Sequence, residues 1–185
     1  MIWNEILCLG DSITCGARDE YGRSYPIELA RILTDRTGEV YVCHEHAVCG
    51  ETSSDLLKRS WDNTARRNAA RIALVLIGTN DTACNIPAEI YEDNIRQIVN
   101  ILKIHGKHII FGLLPKLEFT PIYYKNTSLI DEYNKVLKKL AHELDFELCD
   151  MSGTEKYYAD GVHYTNEGYR ELARRWADKI LVGQT

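Results

Sequence analysis

The sequence predicts an α/β protein: a three-layer α/β/α sandwich around a five-stranded parallel sheet. Strand-like apolar runs and helix-period segments alternate five times, which implies right-handed crossovers between parallel strands. The central run, Ile72-Ala73-Leu74-Val75-Leu76-Ile77, is apolar without alternation, as a strand covered on both faces must be. A chain of 185 residues with 45% hydrophobic content suffices for one well-buried core, so a single domain over residues 1–185 is expected.

Taken in order, the first strand is Glu5–Leu9, carried by Ile6, Leu7 and Leu9 and broken at Gly10. A helix opens near Ser24 with Pro26 just inside it and runs through Leu33. The strand Val40–Glu45 follows, then a helix from about Ser53 to Asn68 with Leu57, Trp61 and Ala65 at helical spacing. After the strand Ile72–Ile77, a helix starting near Asn85 and Pro87 places Tyr91, Ile95, Ile98 and Leu102 on one face. The strand Lys107–Leu113 precedes a helix carrying Leu129, Tyr133, Val136, Leu137, Leu140 and Leu144. The strand Phe146–Asp150 leads to the last helix, whose Tyr169, Leu172, Ala173, Trp176, Ile180 and Leu181 fit the i, i+3, i+4, i+7 template.

Composition removes several function classes. A net charge of -5 and a pI near 5.7 offer no basic surface to nucleic acid or an anionic membrane. The pair Arg66-Arg67 with Arg71 reads as a solvated helix end. No apolar run approaches the length of a bilayer span. The six cysteines lack C-x-x-C spacing and read as small buried hydrophobes of a reducing compartment. Strand-like sequence within the first ten residues leaves no room for a secretory leader, so the expected location is the cytoplasm. His44 and His46 alternate like half a metal site but have no third ligand at suitable spacing, and no metal is expected. Nothing in the sequence specifies an oligomer.

In such a sheet the chemistry gathers at the carboxyl ends of the strands. After the first strand, the Gly10 turn presents Asp11 and Ser12; a serine there has an exposed hydroxyl beside backbone N–H groups, which suits a nucleophile. After the second, Gly50 allows close backbone approach and can aim its N–H at a substrate oxygen. After the third, Gly78-Thr79-Asn80-Asp81 offers the Asn80 amide as a donor. Past the fifth, Asp160-Gly161-Val162-His163 supplies an imidazole able to take the Ser12 proton and a carboxylate able to hold its tautomer. Singly, each block also reads as turn punctuation, an Asx-turn or a helix cap. It is their joint occurrence on one sheet edge that argues for catalysis.

These four blocks, GDS at 10–12, Gly50 in AVCGET, GTND at 78–81 and DGVH at 160–163, resemble in order and spacing the SGNH (GDSL-type) hydrolase family. The resemblance spans residues 6 to about 180. It implies Ser12 as nucleophile, an oxyanion hole of the Ser12 N–H, the Gly50 N–H and the Asn80 side chain, and His163 with Asp160 as the rest of the triad. It also implies the strand order 2-1-3-4-5. Glu45, Ala47 and Cys49 depart from the family's usual text around the second block.

The expected reaction is hydrolysis of a small-molecule ester through an acyl-enzyme, with no metal or organic cofactor. Lysophospholipase, thioesterase or acyltransferase chemistry would use the same triad. A flavodoxin-like nucleotide or flavin module is the alternative without catalysis, although no G-x-G-x-x-G or P-loop follows the first strand. Asp11, Thr79, Tyr123, Tyr124 and Tyr158 are the candidate substrate-binding residues, the tyrosines offering rings to a sugar or an acyl group. Apolar residues are committed to strands and inner helix faces, and the irregular stretch Lys116–Thr127 mixes charge with tyrosine. A shallow, partly wet site for short acyl esters of a polar alcohol is expected.

Overall fold

The computed structural model describes residues 3–60, 69–118 and 126–183. The strands β1 (Asn4–Gly10), β2 (Tyr41–Ala47), β3 (Ile72–Leu76), β4 (His108–Leu113) and β5 (Glu147–Asp150) form one parallel sheet. Their order is β2-β1-β3-β4-β5, as the resemblance implies. Each strand lies within two residues of its expected bounds at either end. Val40, Lys107 and Phe146 fall just before their ladders, while β2 continues through His46 to Ala47.

The order fixes the layers. The chain moves one way from β1 to β2 and the other way for every later crossover, so right-handed connections put α2 (Tyr25–Thr37) on one face and the intervening later helices on the other. Accordingly α2 packs with α7 (Asn166–Val182), while α5 (Ala88–Ile104) packs with both α3 (Ser53–Arg59) and α6 (Leu129–Leu144). Buried aromatics mark each layer. Trp176 of α7 lies 6.1 Å from Tyr25 of α2, ring centre to ring centre, and Tyr91 of α5 stacks at 4.2 Å on Tyr133 of α6. The buried phenols are satisfied by loop carbonyls, Tyr91 donating to Ile77 at 2.9 Å and Tyr133 to Ile86 at 2.6 Å.

Two short helices were not among the expected elements: α1 (Ser12–Cys15) directly after β1, and α4 (Thr79–Ala83) after β3. They are single turns at strand ends, too short to carry an apolar period. Of the helix expected over Ser53–Asn68, α3 accounts for the start; Trp61, Ala65 and Arg66-Arg67 lie outside the described residues. The buried reading of the cysteines needs correction. Cys8 and Cys149 are buried, Cys15 and Cys43 half-buried, but Cys49 and Cys84 are exposed, because both sit in connections whose burial no strand or helix period dictates. Among the described residues no helix is long and apolar enough to cross a membrane.

Among the described glycines, the closest approach of neighbouring atoms is at Gly10. A Cβ there would lie 2.5 Å from the Leu76 carbonyl oxygen of β3 and would collide with the Thr14 side chain of α1. Gly10→Ala is expected to cost about 1–3 kcal/mol, the range for overpacking, because the obstruction is partly backbone. Urea denaturation measures this, and an unchanged midpoint would show that α1 has room to move.

Candidate active site

Asp11 caps α1: its backbone is extended, and its Oδ1 accepts the Ile13 N–H at 3.0 Å. This turns the chain sharply and puts Ser12 at the first helical position, 6% exposed. The Ser12 Oγ lies 2.9 Å from His163 Nε2. Gly16, left-handed at φ +76°, ends the turn.

His163 comes from the loop between the 3₁₀ turn Glu155–Tyr157 and α7, whose cap is Thr165. Asp160 bends under it. Its Oδ1 accepts the Val162 and His163 backbone N–H groups at 3.2 and 2.8 Å, and its Oδ2 lies 2.9 Å from His163 Nδ1. Partial burial pushes the Asp160 carboxyl up, but hydrogen bonds from the His163 backbone and ring outweigh this and hold it below the usual carboxylate value. Tyrosines support the loop from below. Tyr164 packs on Tyr169, Tyr169 donates to the Ala17 carbonyl at 2.6 Å, and Tyr164 shares a 2.7 Å hydrogen bond with Thr154.

Across from His163, Gly50 follows β2 in the left-handed region at φ +83°, where a side chain would be strained. Neither the Ser12 nor the Gly50 N–H has a hydrogen-bond partner among the described residues. Asn80 extends from α4 toward the same turn, donating to the Glu51 carbonyl at 3.0 Å and lying 3.5 Å from Asp11 Oδ2. Two amides without partners and one side-chain amide beside a serine hydroxyl are suited to receive an oxygen that gains negative charge.

Behind this edge lies a polar layer that the sequence reading missed. Glu51, buried, pairs through both carboxylate oxygens with Arg59 at 2.8 and 2.7 Å. Asp81, fully buried, accepts the Ser53 N–H at 2.9 Å and the Ser53 hydroxyl, and Asn94 donates to Ser53 and Ser54 at 2.9 Å each. One signal was available: Thr52-Ser53-Ser54-Asp55 is a capping box, with Thr52 and Asp55 exchanging side-chain-to-backbone bonds at the start of α3.

The structure brings Ser12, His163, Asp160, Gly50 and Asn80 to one edge of the sheet. It does not place three of the substrate-binding candidates on the surface of that site. Asp11 and Thr79 are buried, the first as a helix cap and the second in the first turn of α4. Tyr158 packs its ring 4.8 Å from Tyr164 with its hydroxyl sealed from solvent, so it shapes the His163 loop without presenting a polar atom to a ligand. Tyr123 and Tyr124 lie outside the described residues. The Glu118 N–H donates to the Gly161 carbonyl at 3.0 Å, within the loop that carries His163. His44, whose alternation with His46 predicts no metal site, pairs with Glu5 at 2.9 Å.

A serine hydroxyl, an imidazole and a carboxylate joined by hydrogen bonds at the carboxyl edge of a parallel α/β sheet define the class of ester hydrolases that use a serine. The chain belongs to the GDSL-like lipase/acylhydrolase family, whose model matches residues 8–171, and is a carboxylic ester hydrolase. Its fold is similar to that of Axe2, an acetylxylan esterase from Geobacillus stearothermophilus (TM-score 0.81, 21% identity, 96% of this chain and 94% of that one). It is also similar to a lipase/acylhydrolase from Enterococcus faecalis (0.81, 21%, 96% and 95%) and to Est24, a carbohydrate acetylesterase from Sinorhizobium meliloti (0.80, 20%, 97% and 99%). No curated protein matches the sequence.

Burial raises the Asp11 carboxyl to about 7; the Ile13 N–H opposes the rise, and Asp81 and Glu51 reinforce it. An unfolded chain releases this proton near pH 3.9. Between about pH 4 and 7 the unfolded state is therefore charged while the folded state keeps its proton, and stability falls by up to about 1.4 kcal/mol per pH unit. Asp11→Asn keeps an oxygen for the cap and removes the titration. Thermal melting from pH 4 to 8 should show wild type losing stability relative to the variant as pH rises; parallel curves would refute the assignment.

Proposed function

We propose that this protein hydrolyses short acyl esters, acetyl foremost, of a polar alcohol such as a sugar, through an acyl-enzyme on Ser12. The observation that carries the reading is the 2.9 Å approach of Ser12 Oγ to His163 Nε2, with Asp160 on the opposite ring nitrogen. In this mechanism His163 accepts the Ser12 proton as Oγ bonds to the carbonyl carbon, and Asp160 holds Nδ1–H so that Nε2 is the basic nitrogen. The carbonyl oxygen, now an anion, is taken by the Ser12 and Gly50 N–H groups and the Asn80 amide. Collapse breaks the bond to the alcohol oxygen, which leaves with the proton from His163. Water, deprotonated by the same ring, then attacks the acyl-serine, and the acid departs.

The preference for small acyl groups rests on what surrounds the hydroxyl. Each extra CH₂ is worth about 0.8 kcal/mol only where an apolar wall covers it. In the turn after β2, Val48, Cys49 and Gly50 are exposed; Arg18, the partner of Asp160, lines a groove of about 390 Å³ with Glu20, Tyr21, Asn166 and Glu167 among others, a polar rim with one exposed aromatic ring. Such a rim suits hydroxyl groups better than a long alkyl chain. Two of the proteins similar in fold are an acetylxylan esterase and a carbohydrate acetylesterase, which agrees with this preference.

The test is kcat/KM on p-nitrophenyl esters from two to twelve carbons and on acetylated sugars, with Ser12→Ala as control. Activity should be highest at two to four carbons and vanish in Ser12→Ala; a steady rise to the longest chain would replace this reading with a long-chain lipase or thioesterase. Asn80→Ala should lower kcat by roughly 10²–10³, the usual loss for one oxyanion donor, and a change below about threefold would leave Asn80 only as the brace of the Glu51 carbonyl.

A further inference from the structure

We propose that Arg18 is a positioning residue for the triad, the donor that fixes the Asp160 carboxylate so that His163 faces Ser12. The inference rests on the triad reading above and adds a fourth residue to it. The Asp160 Oδ1 is filled by the Val162 and His163 backbone N–H groups. Its Oδ2 serves the His163 ring at 2.9 Å and has one further partner among the described residues, the Arg18 Nε at 3.2 Å. A third of the Asp160 side chain and two-thirds of the Arg18 side chain face solvent, so without Arg18 that second site on Oδ2 would be left to water and the carboxylate would be held by its own loop alone. A guanidinium N–H is a fixed, permanently charged donor, well suited to hold it.

The backbone is arranged to make this contact. Arg18 stands in the left-handed region at φ +70°, a strained conformation for any residue with a side chain. The strain is imposed by the turn that ends α1: the Ala17 N–H donates to the Ser12 carbonyl at 2.9 Å and the Asp19 N–H to the Gly16 carbonyl at 3.1 Å. The Ala17 carbonyl in turn accepts the Tyr169 hydroxyl. Arg18 is thus tied to the segment that carries Ser12, and its guanidinium reaches a carboxylate 142 positions later in the chain. The ion pair links the nucleophile's turn to the base's loop, alongside the bond from Tyr169 to the Ala17 carbonyl.

Steady-state kinetics on p-nitrophenyl acetate test this in wild type, Ser12→Ala, Arg18→Gly and Arg18→Lys, with melting curves for each. Glycine relieves the strained φ, so Arg18→Gly should melt no lower than wild type. Its kcat should fall about fivefold, the upper end for a partly exposed ion pair, with KM unchanged for this substrate, which brings no sugar hydroxyls to the rim that Arg18 lines. Guanidinium ion at tens of millimolar should restore more than half of the loss, urea at the same concentration should not, and Arg18→Lys should lie between. A kcat equal to wild type, a loss confined to KM, or a loss that guanidinium leaves untouched would overturn the proposal. The His163 Nδ1 proton resonance gives a readout without turnover: it should be sharp in wild type and broadened in Arg18→Gly, and an identical line in both would also overturn it. Failure of wild type to show activity that depends on Ser12 would instead defeat the triad reading, with the resonance still judging Arg18.

Discussion

The close seating of α1 on the sheet at Gly10 is the constraint on which the rest of the site depends. Because no Cβ intervenes, the helix that presents Ser12 starts against the last carbonyl of β3, between neighbours that are themselves in register: Gly10 pairs with Ala47 of β2 and with Leu76 of β3. The turn carrying Gly50 then begins by donating the Val48 N–H to the Gly10 carbonyl at 3.1 Å. Three chain segments are therefore placed relative to one another by backbone hydrogen bonds, whose geometry tolerates only tenths of an ångström. Preorganised donors are effective only when they stand where charge will develop, so this precision is a functional requirement as well as a packing outcome.

Holding those loops requires buried polar groups, and each must find a partner or cost stability. Asn80 illustrates the double duty. One function proposed for its amide is to meet substrate oxygen, yet it also donates to the Glu51 carbonyl, next to Gly50 in the chain. The Glu51 carboxylate is locked by Arg59, which also donates to the His46 carbonyl at the end of β2. Asp81, next to Asn80, is anchored by Ser53 at the start of α3. The loops after β2 and β3 thus behave as one braced unit, and loss of one brace leaves a buried charge unpaired, a larger penalty than the pair itself contributes.

Much of this was legible in the sequence because the fold is periodic and the chemistry sits where periods end. The apolar run at Ile72–Ile77 and the heptad-like face of α7 gave their elements directly, and the residues at four strand ends gave the edge where Ser12, Gly50, Asn80, Asp160 and His163 meet. What the sequence could not convey was direction. Asp11 and Thr79 flank the reactive residues in the chain, but a helical turn rotates each successive side chain by about 100°, so neighbours of a site residue point away from it. Tyr158 precedes Asp160 by two positions and turns its ring inward against Tyr164. Arg18 and Arg59 were invisible for the opposite reason: their partners are remote in the chain or reached by a long flexible side chain, and no local pattern announces either.

Asp11 raises the sharpest electrostatic question. A helix cap needs only an oxygen, and asparagine, serine or threonine would supply one. An ionised carboxylate 3.5 Å behind the Asn80 amide would set negative charge beneath a hole meant to hold an oxyanion, with little solvent to screen it. Burial resolves the conflict by raising this carboxyl to about 7, so that across the acidic range the cap is neutral. The Asn80–Asp11 contact is long at 3.5 Å, and the shorter bond from Asn80 goes to the Glu51 carbonyl at 3.0 Å. Of the other carboxylates nearby, Glu51 has its charge matched by Arg59 in a bidentate pair, while Asp81 is raised by burial and accepts the Ser53 N–H and hydroxyl. Across the acidic range, desolvation at Asp11 and Asp81 and ion pairing at Glu51 thus favour donors of Ser12, Gly50 and Asn80 with little uncompensated negative charge behind them, the condition under which they can stabilise an anion in front.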